Sequence, residues 1–163
     1  MGRHYSLQKN AWPWLWVSLI VVLLDQVTKA LAEHYLTFGE SIKVFPILNF
    51  TLTYNRGSAF GFLNLSSLQP GPLLTSVASI IITLLILWLW QLSRTAYLKV
   101  LSISLIIGGA TGNLVDRLFR SHVVDFIDFH YQKWHYPIFN LADTFICIGV
   151  ILLAIVIWCS KDI

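Results

Sequence analysis

Charge is scarce in this 163-residue chain. Lys and Arg total 11, Asp and Glu 8, and charged residues make up 12% of the sequence, against about 25% in soluble domains. With 56% hydrophobic residues and a mean hydropathy of +0.70, the polar surface is too small to solvate a globule, which excludes a soluble domain and indicates a membrane protein. A basic face is also missing. The pI near 9.0 comes from cations scattered through loops and tails, so a nucleic-acid partner is excluded. Cysteine is limited to Cys147 and Cys159. A helix would hold them about 18 Å apart along its axis, so they cannot bridge; they read as small apolar core residues and say nothing of redox compartment. Metal-ligand spacing is absent too: His130 and His135 lack a third ligand at a helical or hairpin offset and read as interfacial side chains, and no metal or cofactor is expected. There is no internal repeat.

What the chain does have is long apolar runs. Trp12 to Ala32 is long enough to span a bilayer and opens with three tryptophans suited to an interface. A basic start, a short apolar run and Ala30-Leu31-Ala32 also fit a secretory signal peptide, but Asp25 and Lys29 occupy the supposed cleavage region and three further spans follow. Those spans are expected at about 73–92, 100–117 and 137–158, the last beginning at Pro137, an acceptable first helical residue. Gly108 and Gly112 give the third span a small-residue face against which another helix can pack. Loops at about 33–72 and 118–136 complete a single membrane domain over 1–163. Between Leu48 and Asn55 apolar and polar residues alternate, which predicts a strand, and Asn55-Arg56-Gly57 reads as a turn before AFGFL returns toward lipid. HVVDFIDFHY alternates as well and predicts a strand-like piece. The fold class expected is membrane all-α, four transmembrane helices with a small β-rich region at the membrane surface. The glycosylation sequons at Asn49 and Asn64 are too short a pattern to carry weight.

Counting spans places the end of the first, the loop after it, the end of the third and the start of the fourth on one side of the membrane. Asp25, Lys29, Asn55, Asn113, Asp116, Arg117, Asp125, Asn140 and Asp143 therefore share one face. Ionisable groups at a bilayer are costly and mark function by default. Cations near the other ends of the spans lie in short segments, which favours that opposite side as the cytoplasm.

Asn113, Asp116 and Arg117 fall at i, i+3 and i+4 on one helix face. Asp116 with Arg117 or Lys29 most simply makes ion pairs, and Asp25 precedes Lys29 at the favourable i,i+4 offset. Asp143 has no cation within its helix turn and would lie two turns below the helix start, with Asn140 one turn above. Asp125 comes from the strand-like loop. Two carboxylates meeting without a cation in a low-dielectric site share a proton; the ionised member can activate water and the other can protonate a departing amine, as in an aspartic peptidase. Intramembrane acids also serve as proton relays or simply as structure, and spacing alone does not choose among these.

Five blocks, DQVTK (25 to 29), YNRGSAFGFL (54 to 63), GGATGNLVDR (108 to 117), VVDFIDF (123 to 129) and FNLADT (139 to 144), resemble in order and spacing those of the lipoprotein signal peptidases, signal peptidase II. The resemblance covers nearly the whole chain. It implies that Asp125 and Asp143 are the catalytic aspartates, that Asn55, Asn113, Arg117 and Asn140 bind substrate backbone or lipid head group, and that Asp25, Lys29 and Asp116 support them. It further implies a bacterial inner-membrane enzyme with both termini cytoplasmic and a site facing the periplasm. The implied substrate is a prolipoprotein carrying diacylglyceryl on its lipobox cysteine, cut on the N-terminal side of that residue. Membrane lipids and cyclic peptide inhibitors of the globomycin type are the further partners implied, and a monomer is expected. The competing reading is a small proton-coupled carrier using the same acids as a relay. A carrier would commonly show a repeat or broken spans, whereas here the acids cluster at one interface.

Overall fold

The computed structural model describes residues 10–57 and 70–159. The basic N-terminal tail with Arg3 and Lys9, the return through AFGFL, the sequon at Asn64 and the tail with Lys161 lie outside the described residues.

Among the described residues four helices are long and apolar enough to cross a membrane: α1 (Leu15–Tyr35), preceded by a 3-10 turn over Trp12–Trp14, α2 (Pro70–Gln91), α3 (Tyr97–Arg120) and α4 (Leu141–Cys159). Over half of the α3 window, 56%, is buried, against 6% for α2 and 11% for α4, so α3 is the hub and the others turn apolar faces outward. Cys147 and Cys159 are free and exposed. The core placement expected for them is thus corrected: they sit on the outward face of α4, where a thiol is as acceptable as any small apolar group.

Close approach to the hub relies on missing side chains, as the small-residue face predicts. A Cβ on Gly109 would lie 2.8 Å from Ile146 Cγ1 and collide with the Ala142 carbonyl of α4, and one on Gly112 would enter the Asp25 carboxylate of α1. The Ser18 hydroxyl adds a bond from α1 to the Ser104 carbonyl of α3 at 2.7 Å.

A four-stranded antiparallel sheet, in the order β1-β2-β3-β4, lies at the ends of these helices: β1 (Ser41–Phe45), β2 (Leu48–Asn55), β3 (Val123–Tyr131) and β4 (Trp134–His135). The alternating stretches become β2 and β3, with Thr53 opposite Asp125 and Asn55 opposite Val123. Leu52, Val124 and Phe126 pack on Ala32, which explains why α1 runs a turn beyond the expected boundary at Ala32. α3 likewise extends through Arg120 before Ser121 closes it in the left-handed region, φ 62.

Helix α4 starts at Leu141 and not at Pro137. The preceding residues are held extended by the sheet: Ile127 and Phe126 N–H both donate to the Phe139 carbonyl, at 2.8 and 3.0 Å, and Phe139 N–H donates to the Ile127 carbonyl at 3.1 Å. Asp143 therefore stands in the first turn of the helix, not two turns below its start, and Asn140 caps that helix instead of lying within it.

Candidate active site

Asn140 and Asp143 form a reciprocal cap. Asp143 N–H donates to Asn140 Oδ1 at 3.0 Å and Asn140 N–H donates to Asp143 Oδ2 at 3.3 Å, so one pair of side chains satisfies two otherwise orphaned groups of the helix start. The other Asp143 oxygen accepts from Asn113 Nδ2 of α3 at 2.8 Å. Two N–H donors and a helix N-terminus, whose dipole favours negative charge, surround this carboxylate.

Asp125 reaches the same place from β3. Its Oδ1 accepts from Asn140 Nδ2 at 2.7 Å, and the same amide donates to Asn113 Oδ1 at 3.0 Å. The two carboxylates are thus linked through two asparagines. Asp125 is 3% exposed, and burial, then the nearby negative Asp143, pushes its pKa up to about 6; hydrogen bonds from Asn55 and Asn140 pull in the other direction. Asn55 also fixes the turn after β2, accepting from Gly57 N–H at 2.9 Å, at a glycine whose φ of 101 suits no other residue.

Behind the pair lies a buried charge lock. Lys29 Nζ is 2.8 Å from Asp25 and 2.7 Å from Asp116, all three side chains fully buried, and it donates to Asn113 Oδ1 at 2.9 Å. That bond fixes which way the Asn113 amide faces, hence that its NH₂ points to Asp143. Asp25 is held by Ala142 N–H at 3.0 Å, tying α1 to the start of α4. The expected meeting of two acids without a cation needs correction here: Lys29 is one asparagine away and its charge acts on Asp125.

Of the two partners considered for Asp116, the structure uses Lys29 and not Arg117. The second cation on Asp116 is Arg120, one turn on, which also reaches Glu33 at 3.7 Å. Arg117 makes no ion pair among the described residues; its Nη1 lies 3.5 Å from the Asn113 carbonyl, and the charges of Asp143, Asp125 and Asp116 act on it.

Sequence reasoning passed over several members. Gln26 Nε2 contacts Asp25 Oδ2, the Gly112 carbonyl and Asp116 Oδ1 at 3.1–3.2 Å, and its Oε1 accepts from Arg120; adjacency to Asp25 in DQVTK was the available signal. Arg120 was legible as the i+4 partner of Asp116 once α3 is allowed another turn. Away from the pair, Asp128 is buried and bonds His135 Nδ1 at 2.8 Å, Thr51 at 3.2 Å and Asn49 at 3.4 Å. Burial alone would raise the Asp128 pKa, but the bond from His135 and those from Asn49 and Thr51 hold it below the usual carboxylate range. Among the described residues no three His, Cys, Asp or Glu side chains gather as a metal site.

Comparison with known proteins agrees with this arrangement. Residues 17–159 match the family described as signal peptidase (SPase) II. A lipoprotein signal peptidase from Coxiella burnetii is 50% identical over 147 residues, covering 90% of each chain, and one from Hydrogenovibrio crunogenus is 42% identical, covering 92% of this chain and 87% of its own. A solved bacterial membrane enzyme superposes with a TM-score of 0.80 at 33% identity, covering 91% of this chain and 89% of the other. The chain belongs to the signal peptidase II family of aspartic membrane peptidases.

Proposed function

We propose that this enzyme removes signal peptides from prolipoproteins already carrying diacylglyceryl on the lipobox cysteine, cutting on the N-terminal side of that cysteine, with Asp125 and Asp143 as the catalytic pair. The observation that carries the assignment is the asymmetry of the two carboxylates. Asp143 accepts N–H bonds from Asn113 and Asn140 at the start of α4, while burial and its neighbour favour the protonated form of Asp125. Asp143 then takes a proton from water as that water attacks the scissile carbonyl, and Asp125 supplies the proton to the departing amine nitrogen as the C–N bond breaks. When the products leave, the proton gained by Asp143 passes to Asp125, which restores the starting state of the pair. Asn55, Asn113, Arg117 and Asn140 are the groups assigned to hold substrate backbone or head group, and Asp25, Lys29 and Asp116 keep the asparagines aligned. The names of the relatives support the substrate class, since both are lipoprotein signal peptidases; family membership leaves the carrier reading without support.

In the same reading the chain is a single domain over 1–163 acting as a monomer in the bacterial inner membrane. Its termini are cytoplasmic, the sheet and acids face the periplasm, and cyclic peptides of the globomycin type compete for the site. Reporters fused within 93–97 should then report cytoplasm and one near Gln132 the periplasm.

Lipid should matter for position as well as affinity. Each CH₂ of acyl chain buried contributes about 0.8 kcal/mol, and anchoring at the interface fixes the depth of the scissile bond relative to the acids, a gain in orientation. The test gives the enzyme matched precursors with and without diacylglyceryl in one detergent and compares initial rates. Cleavage confined to the lipidated form is expected; equal rates would remove the lipid from the mechanism.

A further inference from the structure

Asp128 lies outside the catalytic arrangement, yet it is 2% exposed and gathers side chains from the whole sheet. Asn49 and Thr51 of β2 donate to it at 3.4 and 3.2 Å, Thr51 shares a 2.8 Å bond with Ser41 of β1, and His135 of β4 approaches with Nδ1 at 2.8 Å. A carboxylate only accepts, so His135 carries a proton on Nδ1, and bonds to an ionised acceptor are the strong ones. The strand that this bond holds has no burial of its own. β4 is two residues long and both are exposed, and it follows a turn in which Gln132 takes φ 55, a left-handed conformation that is costly for a residue with a side chain. Beyond its backbone pairing with β3, β4 is fixed by the bond to Asp128 and by the His130 ring stacked on His135 at 5.3 Å. Asp128 and His130 are the titratable groups that the sheet places against His135.

From β4 the chain runs straight to the site. Tyr136 N–H donates to the Phe129 carbonyl at 2.8 Å and the Phe139 ring stacks on Phe129 at 5.8 Å. The next residue is Asn140, whose Nδ2 donates to Asp125 at 2.7 Å. Only four residues separate His135 from Asn140, so a displacement of β4 is passed on with little chain to absorb it. The backbone bonds of Phe139 to Ile127 keep Asn140 near the acids, but aim is a finer matter, because a hydrogen bond weakens steeply with distance and angle. We propose that Asp128 and His135 are positioning residues for the cleavage: their bond fixes β4 on the sheet and so aims the Asn140 amide at Asp125. Both act through Asn140. The proposal rests on the catalytic reading of Asp125 and Asp143 and adds what keeps that pair aligned.

The test uses the full chain in detergent with a diacylglyceryl-modified precursor, as wild type, His135→Ala, His135→Asn, Asn140→Ser, His135→Ala combined with Asn140→Ser, and Asp125→Asn. His135 is the residue to change because its side chain is 51% exposed, so its loss opens no cavity, and the asparagine amide places a donor where Nδ1 stands. The readouts are kcat, KM and the alkaline limb of kcat/KM against pH, which reports the free enzyme. A misaimed Asn140 no longer favours ionised Asp125, so the limb of His135→Ala should move to higher pH, as in Asn140→Ser. Asp143, Lys29 and Arg117 are the charged groups acting on Asp125, and the His135 variants keep all three. Expected are a kcat lower by at least about fivefold in His135→Ala and recovery to within about twofold of wild type in His135→Asn, since small misplacements made away from the chemistry act on rate. The combined variant should show no limb shift beyond that of Asn140→Ser, because the two changes act on one contact. A His135→Ala enzyme that melts lower but keeps the wild-type kcat and limb would make the pair a structural clasp and overturn the proposal. So would a raised KM with kcat and limb unchanged, or limb shifts that add in the combined variant. Asp125→Asn turning over like wild type would overturn the catalytic reading and this proposal with it, whereas an inactive Asp125→Asn beside an unaltered His135→Ala overturns this proposal alone.

Discussion

Replacing Lys29 by Met keeps most of the side-chain volume and removes one charge, so the change isolates the electrostatic role of the lock. In the wild type Lys29 Nζ sits between Asp25 and Asp116 at 2.8 and 2.7 Å with no solvent access. Asp116 would keep Arg120 and the Val124 N–H at 3.3 Å. Asp25 would keep the Ala142 N–H and the Gln26 amide but would face no cation. Removing one partner of a buried ion pair costs about 3–5 kcal/mol, and at 2–4 °C per kcal/mol for a chain of this size that is roughly a 6–20 °C fall in melting temperature. The loss can be followed by fluorescence of the seven tryptophans during heating in detergent micelles. Adding Asp25→Asn to Lys29→Met should recover at least about 1 kcal/mol relative to the sum of the single changes, because the charge left stranded is gone. Asp25→Ala alone should destabilise less than Lys29→Met, since Lys29 retains Asp116 and Asn113. A Lys29→Met melting temperature within about 2 °C of wild type, with no coupling in the cycle, would refute the charge lock.

Asp125→Asn and Asp143→Asn should each lower turnover by at least about 10²-fold, the scale of general acid–base catalysis, while leaving precursor binding measurable by pull-down. Because the folded pKa of Asp125 is raised from 3.8 to about 6, its contribution to stability is fully present below about pH 4 and lost as pH rises through about 6. Denaturation midpoints of wild type should fall across that window, and the Asp125→Asn curve should be flatter there. Gly109→Ala should cut both activity and melting temperature, since its Cβ cannot coexist with the Ala142 carbonyl unless α3 and α4 separate; wild-type behaviour would show that the helices can part without consequence.

Much of the site was legible because counting spans is enough to gather residues far apart in sequence. The period of two exposed β2 and β3 through their apolar–polar alternation, although burial itself does not alternate along β3, where Val123 to Phe126 are all buried. β1 escaped because all five of its residues are exposed, leaving no burial contrast for a pattern to follow, and the two-residue β4 is too short for any pattern. The start of α4 was misplaced because Pro137 is compatible with a helix start, while the backbone bonds of Phe139 to Ile127, which decide the matter, join segments whose approach no local signal reports. The same limit hid Arg120 and the amide orientations: spacing names neighbours on one helix, but not which of two oxygens across a helix interface receives a proton donor.

Those amide orientations give Asn140 two separable duties. Its Oδ1 caps α4 and its Nδ2 donates to both Asn113 and Asp125. Serine is as good an N-cap as asparagine but carries no NH₂ to reach Asp125. Asn140→Ser should therefore keep the helix start and lose the bridge, whereas Asn140→Ala should lose both, with the cap accounting for about 0.5–2 kcal/mol. Melting temperatures should rank wild type above serine, and serine above alanine. Turnover should fall together in the two variants, by about tenfold or more on the scale of a lost charge-assisted hydrogen bond of about 1.5–3 kcal/mol. Losing the bridge also removes a donor that stabilises ionised Asp125, so in the serine variant the alkaline limb of the rate profile should move to higher pH. A serine variant with wild-type turnover and an unmoved limb would show that Asn140 serves only as a cap, and that Asp125 is aligned by Asn55 and the register of β3 alone.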